Sequence, residues 1–218
     1  MRYIAAVLGL SFLVAGWAYT QEDDVFRHPL GARTEEAFRA TCLRLAEHPF
    51  IRGNFEQEKI LRRFNRSLKS SGNFIITGRL GMVWDTLIPF PSTLALGRDS
   101  FTQSRPGGQR TVLSAQGNET FLRMAEVISN VFTGNARGLV DNFKVYYAAS
   151  GAVSWIMGLI PLDKAINSFA ERIIMKGDTV IKSIEITEQN GDSIKYILSN
   201  HSFPAELNAN EQAIFSLP

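Results

Sequence analysis

Apolar residues recur every three or four positions over residues 34–48, while charged residues fill the positions between them. Phe38, Cys42 and Leu45 fall on one stripe. That spacing predicts an amphipathic helix, with Thr34 as its N-cap and Pro49 as its stop. The helix is expected to cover another apolar surface.

A second helical pattern runs over residues 118–132. Its apolar stripe consists of Phe121, Ala125, Ile128 and Phe132. Asn118 is placed to cap this helix, and Gly134 with Asn135 is placed to end it. Residues 162–169 predict a further short helix, and residues 206–217 predict another at the end of the chain.

Extended patterns with a period of two fill most of the remaining chain. Alternation begins after Pro49, continues through residues 80–88, and returns in residues 142–150 and 172–200. Asn190 and Gly191 stand between two alternating segments, which is a strong indication of a β-hairpin. We therefore predict an α+β fold, a single domain in which helices pack on one antiparallel sheet.

The segment VSWIMGLIPL, residues 153–162, departs from both patterns. Ser154 is its only polar residue. The segment is about half the length that a membrane-spanning helix needs. It lacks the alternation of a strand with one wet face. The pattern alone therefore leaves the structure of this segment open.

The amino terminus has the layout of a cleavable secretory signal. MRYIAAVLGLSFLVAGWAYTQEDD carries Arg2, then an apolar run, then small residues, then an acidic start. We expect cleavage after Ala18, which gives a signal peptide over residues 1–18 and one domain over residues 19–218. An uncleaved anchor helix is the alternative. The expected location is the periplasm.

Composition and motifs give little support for catalysis or metal binding. Cys42 is the only cysteine, so an internal disulfide is impossible, and we expect it to be buried as a small hydrophobe. The formal net charge of +2 does not point to nucleic acid. Glu56 and Glu58, flanked by Arg62 and Arg63, are interpreted as a solvated charged face. We expect no enzyme, no metal and no cofactor.

The remaining candidate chemistry is apolar surface. On the predicted strands it consists of Phe55, Met82, Trp84, Ile88, Leu94, Leu96, Phe143, Val145, Tyr147, Trp155, Met157 and Leu159. A plain hydrophobic core between helices and sheet explains such a set. The alternative is that the helices form a lid over an apolar cavity that the sheet lines.

A resemblance to the outer-membrane lipoprotein carrier (LolA) family favours the cavity. The segments GNFEQEK and SGNFIITGRLGMVWDTLIP resemble the first strands of that family. The matching positions are Phe55, Gln57, Gly72, Phe74, Ile76, Arg79, Trp84 and Pro89. The resemblance implies an incomplete antiparallel β-barrel, a curved sheet with covering helices that hold acyl chains. In such a fold, residues 153–162 would form a strand with one face on the cavity and the other under helix or core, and Pro161 would lie at a sheet edge or a strand end.

The resemblance also implies roles for residues and partners. The strand residues above would bind lipid, and the lid would contain Phe38, Cys42, Leu45, Phe121, Ile128 and Phe132. Arg79 would take the place of the family arginine that fastens the lid, although the family's following proline is absent here. The implied cargo is a lipoprotein or another lipid, passed by a monomer from an inner-membrane donor transporter to an outer-membrane acceptor. No nucleic acid is implied.

Two other functions remain open from the sequence. One is a periplasmic regulator that senses a lipid or lipoprotein, because the same fold occurs in such a protein. The other is an enzyme acting on an apolar substrate, which would need a polar group inside the cavity. Asp85, Arg79 and Tyr147 are the candidates for that group.

Overall fold

The computed structural model describes residues 23–78, 80–97, 100–108, 111–114, 126–127 and 129–215. The predicted signal peptide therefore lies outside the described residues. So do three predicted lid residues, namely Arg79, Phe121 and Ile128.

Eleven antiparallel strands form one curved sheet that does not close. Their order is β6-β5-β4-β3-β2-β1-β11-β10-β9-β8-β7, so β6 and β7 are its edges. The strands are β1 (Phe50–Leu61), β2 (Arg66–Thr77), β3 (Gly81–Ile88), β4 (Ser92–Leu96), β5 (Ser100–Ser104), β6 (Thr111–Ser114), β7 (Phe143–Ser150), β8 (Ser154–Pro161), β9 (Arg172–Gly177), β10 (Ile181–Thr187) and β11 (Ser193–Ser202).

Most of the helices within the described residues are short. Helix α1 spans Glu35–Leu45, and residues 126, 127 and 129–132 are also helical. Further helices span Ala136–Asn142, Lys164–Asn167 and Ala209–Phe215, and 3-10 turns span Asp23–Arg27 and Arg62–Phe64. The predicted α+β class and incomplete antiparallel barrel are confirmed.

The start of α1 differs in detail from the prediction. Thr34 stands at the N-cap but makes no capping bond to the helix. Its hydroxyl instead accepts a hydrogen bond from the Gly31 N–H at 3.1 Å and donates one to the Gly31 carbonyl at 3.2 Å. The helix Ala136–Asn142 was not predicted, and Asn135 caps it by accepting from the Gly138 N–H at 3.1 Å.

Strand β8 explains the unbroken apolar segment, because both of its faces are buried. Trp155, Met157 and Leu159 face the main apolar cluster. Ile156 and Ile160 face a second cluster, formed by Val25, Phe26, Tyr146 and Ile174. The 3-10 turn Asp23–Arg27 supplies part of that second cluster and covers the outer face of β7–β9. The prediction of a strand covered on both sides is confirmed.

Ile88 lies on the opposite face from the one that alternation predicts. Gly72 pairs with Thr86, but the preceding residue Ser71 pairs with Ile88. The extra residue, Leu87, is a β-bulge, and a one-residue shift moves the next side chain to the other face. Ile88 is therefore 62% exposed on the outer face, whereas Met82 is buried on the inner face.

A substitution at Gly158 in β8 would test how closely the 3-10 turn Asp23–Arg27 packs on the outer face of the sheet. A Cβ added there would lie 2.8 Å from a ring carbon of Phe26 and 3.0 Å from a methyl of Val25. We expect Gly158→Ala to lower the free energy of unfolding by about 1–3 kcal/mol, because the cover must shift. Urea unfolding measures the change. Gly108→Ala is the control, since its Cβ would meet its nearest neighbours at 3.5 Å. Equal stability of both variants would contradict close packing here.

Candidate functional site

The inner face of the sheet carries one continuous apolar cluster that also includes residues of the covering helices. Its first part is aromatic and lies on β1, β2, β3 and β11. Trp84 stacks on Phe55 with ring centres 4.3 Å apart, and on Phe74 at 5.8 Å. Tyr196 meets Trp84 edge-on at 5.3 Å. Flat rings therefore form one wall of the site.

The second wall is formed by β7, β8 and β9. Phe143, Val145 and Tyr147 on β7 are buried, as are Trp155, Met157 and Leu159 on β8. Met157 pairs with Met175 of β9 in the strand register, and both are almost completely buried. Flexible thioether side chains adapt their packing more readily than branched ones do.

Helix α1 covers these walls with its predicted stripe. Phe38, Cys42 and Leu45 are buried within the same cluster. The Phe38 ring meets Tyr147 edge-on at 5.9 Å. Val127, Val131 and the partly buried Phe132 belong to this cluster as well. We call α1 together with helical residues 126, 127 and 129–132 the lid.

Gly134 shows how closely the two parts of the lid pack. It follows the second helical segment and has a positive φ of 60°. A Cβ at this position would lie 2.0 Å from the Cys42 carbonyl oxygen. Only glycine therefore allows this turn to contact α1.

A chain of hydrogen bonds ties α1 to the sheet inside the apolar cluster. The Thr41 hydroxyl lies 2.8 Å from the Tyr147 hydroxyl, and both residues are almost completely buried. Arg44 Nη2 donates to Thr41 at 2.9 Å, and the Tyr147 hydroxyl donates to the Ala37 carbonyl at 3.3 Å. All three hydrogen bonds form together when Arg44 donates to Thr41, Thr41 donates to Tyr147, and Tyr147 donates to the Ala37 carbonyl. We call this set of contacts the latch.

Burial shifts the pKa values of two other groups in the site, Cys42 and His201. Burial raises the pKa of the Cys42 thiol to about 12, so this thiol is not a nucleophile near neutral pH. Burial also lowers the pKa of His201, whose ring meets Phe74 edge-on at 5.8 Å. Sequence reasoning did not place His201 in the site, because its alternation with Leu198 is interrupted by a bulge in β11.

Among the described residues, α1 and the second part of the lid pack closely on the sheet. A void of about 10 Å³ lies between them, no larger than one water molecule requires. It is lined by Leu45, Ile51, Phe74, Ile76, Phe132, Val180, Ile181, Leu198 and His201. An acyl chain could enter at this point only if the lid moved.

The predicted site residues can now be located. The lipid-binding residues other than Ile88 belong to the apolar cluster, with Trp84 and Leu94 only partly buried. Among the predicted lid residues, Phe38, Cys42, Leu45 and Phe132 also belong to it, and the other three lie outside the described residues. Arg44 and Thr41 were missed, because the pattern marked them only as polar positions of an amphipathic helix.

Two of the three candidates for an enzyme, Asp85 and Tyr147, lie on different faces of the sheet, and the third, Arg79, lies outside the described residues. Asp85 lies on the outer face, where Thr93 donates a hydrogen bond to its carboxylate at 2.6 Å. Tyr147 is inside but forms part of the latch. Within the part of the chain that the structure describes, no three His, Cys, Asp or Glu side chains are grouped to hold a metal.

None of the described helices combines the length and hydrophobicity that crossing a membrane would require.

No family model matches the chain, and no curated protein matches it. Solved structures do. A domain named for outer-membrane lipoprotein sorting, from Vibrio parahaemolyticus, is 11% identical with a TM-score of 0.44, covering 88% of this chain and 99% of that one. A LolA superfamily protein from Nitrosomonas europaea is 7% identical with a TM-score of 0.43, covering 80% and 95%.

A third similar structure is the MucA/MucB complex of Pseudomonas aeruginosa. The identity is 10%, the TM-score is 0.45, and the match covers 80% of this chain and 60% of that chain. Structures named for the LolA superfamily and for lipoprotein sorting are therefore among those that this chain resembles, at low identity.

The latch can be tested by removing one hydroxyl. We expect Tyr147→Phe to lower the free energy of unfolding by about 1–3 kcal/mol, because Thr41 loses a buried partner. The lid should also open more often. Labelling of Cys42 by a thiol reagent measures this opening directly, since no other cysteine reacts.

Tyr146→Phe is the matched control for the latch. Tyr146 is the neighbouring residue and belongs to the second apolar cluster, on the other face of β7. Equal labelling rates in the two variants would show that the Tyr147 hydroxyl does not hold the lid.

The raised pKa of Cys42 predicts an alkaline loss of stability. The unfolded thiol ionises near pH 9, whereas the folded thiol stays protonated up to about pH 12. The free energy of unfolding therefore falls by up to about 1.4 kcal/mol for each pH unit between these values. Cys42→Ala should be less stable at neutral pH but should lose stability less steeply above pH 9. Parallel curves from urea unfolding would show that the thiol is not held neutral.

Proposed function

We propose that this protein is a periplasmic binder of acyl chains, which enter between the inner face of the sheet and the lid. The observation that carries the proposal is the single apolar cluster that joins both walls to the lid. The sheet does not close between β6 and β7, so the helices complete the enclosure. A helical cover can move without breaking the strand ladder.

Among the described residues, the lid has more buried side-chain donors without a hydrogen-bond partner than the walls have. Three buried side-chain nitrogens in the described part of the chain lack a hydrogen-bond partner, and they are Arg44 Nε, Arg52 Nε and Asn130 Nδ2. Two of them belong to the lid. Because an unpaired buried donor costs free energy, the closed lid is stabilised less than its apolar contacts alone would suggest.

The ligand and the lid compete for the same surface. Phe38, Cys42 and Leu45 occupy the space above the walls when the lid is closed. An acyl chain gains about 0.8 kcal/mol for each buried methylene but must displace these side chains. The net affinity is the difference between the two, which allows tight holding and later release.

The finer proposal is a carrier that shields the acyl chains of a lipoprotein or another lipid and moves them from the inner to the outer membrane. A carrier of this kind performs no chemical step, so we propose that the protein is not an enzyme. A donor transporter and an acceptor would then be its partners. The sequence resemblance to the lipoprotein carrier family supports this role, as does the secretory layout of the amino terminus.

Binding is tested with a fluorescent acyl-chain probe and with native mass spectrometry of protein purified without detergent. We expect co-purifying lipid, and affinity that rises up to about fourfold for each methylene added to the probe. Trp84→Ala should weaken binding by about tenfold, because it removes the ring stacked on Phe55.

Val153→Ala is the control for the binding experiment, since this exposed apolar residue lies in the turn between β7 and β8. Absence of lipid in the native protein together with no dependence on probe length would refute the proposal.

A further inference from the structure

The hairpin of β1 and β2 extends beyond β3, its neighbour on one side, whereas on the other side β1 stays paired with β11 as far as Ile60. Pairing of β2 with β3 begins at Ser71 and Ile88, so residues 66–70 have no partner on that side. These five residues project about 16 Å past the end of β3. All side chains from Arg62 to Lys69 are exposed.

Basic residues are concentrated on this projecting hairpin. Residues 59–69 read KILRRFNRSLK, with five cations and no acidic residue. Lys59 pairs with Glu188 at 2.7 Å, and Lys69 lies 3.8 Å from Glu58. The other three cations, Arg62, Arg63 and Arg66, have exposed side chains, and the buried Asp192 carboxylate accepts a hydrogen bond from the Arg62 backbone N–H at 2.8 Å. The interpretation of this region as an ordinary charged face did not take account of their position at a projecting tip.

Large apolar side chains stand among the cations. Phe64 is 66% exposed, Leu68 is 55% exposed and Ile60 is 44% exposed. Ile60 and Leu68 point to opposite faces of the hairpin, because Ile60 pairs with Ser67 and Lys59 pairs with Leu68. Phe64 lies at the turn. Phe90, which is 81% exposed, lies in the β3–β4 turn at the same end of the sheet.

We infer that this hairpin docks the protein on an anionic lipid surface. Arginines next to an aromatic and an aliphatic side chain match a bilayer interface, where phosphates lie directly above acyl chains. Charge complementarity commits the site to a negative surface, and the exposed rings and methyl groups favour a lipid one over nucleic acid. The inference goes beyond acyl-chain binding in the cavity and does not depend on it.

Co-sedimentation with vesicles tests the inference. The full chain should sediment with vesicles that contain phosphatidylglycerol and should not sediment with pure phosphatidylcholine. Salt should weaken the binding. Each cation near the surface contributes about a fivefold effect, so Arg62→Gln/Arg63→Gln/Arg66→Gln should lose roughly 100-fold in affinity. Phe64→Ser/Leu68→Ser should bind more weakly than the parent protein as well.

The matched control removes three exposed arginines elsewhere. Arg27→Gln/Arg33→Gln/Arg137→Gln changes the net charge equally but leaves the hairpin and the lid intact. It should retain most of the vesicle binding. Phe64→Trp adds a direct readout, because its fluorescence should shift to the blue on anionic vesicles only.

Several outcomes would overturn the inference. These are equal sedimentation with both vesicle types, equal loss in the two triple variants, or an unshifted Phe64→Trp spectrum. Binding of DNA without binding of vesicles would assign the hairpin to nucleic acid and would also overturn it. Acyl-probe binding is measured without vesicles, so failure of the docking surface leaves the proposed function standing, and the reverse also holds.

Discussion

An open sheet with an apolar inner face is stable in water only if something covers that face, and here the cover depends on α1. The edges β6 and β7 do not pair, so backbone hydrogen bonds cannot close the structure as they would in a barrel. Enclosure relies instead on apolar contact of Phe38, Cys42 and Leu45 with the sheet. The latch from Arg44 to Tyr147 fixes how α1 is oriented on the sheet, because a buried hydroxyl requires its hydrogen-bond partner in one position.

The two walls differ in how firmly they are fixed. Strand β8 is packed on both faces, and Gly158 brings Phe26 and Val25 against its outer side. A strand held in this way has little freedom to adjust. The aromatic wall is different, because Trp84 is only partly buried, and the outer face behind it combines the buried Val83 with Asn54 and Asn73, which are joined by a hydrogen bond of 2.6 Å. Adjustment to a bound chain is therefore expected from the lid and the rings rather than from β8.

Sequence patterns predicted the elements that follow a simple period. The helix at Glu35–Leu45 and the hairpin at Asn190 and Gly191 follow from local spacing, whereas the two-sided strand at residues 154–161 was predicted only through the family resemblance. The face of Ile88 did not follow, because a bulge depends on pairing with β2, which alternation within β3 does not contain. Nor did the latch, because Thr41 and Tyr147 are 106 residues apart and have no local signal. The projecting hairpin was missed for a similar reason, since strand lengths show which neighbour ends first only after pairing is known.

The close contact of α1 with the sheet bears on how such a protein would work. A preformed cavity would hold an acyl chain without any change of shape, and release would then cost the full burial energy of the chain. Where α1 packs on the sheet, its side chains take the place of the chain, so release regains their contacts and the latch. The free-energy change is therefore smaller both when the acyl chain is taken up and when it is released. Under the proposed function, the projecting hairpin would keep the opened protein at a lipid surface, where an uncovered inner face meets acyl chains rather than water.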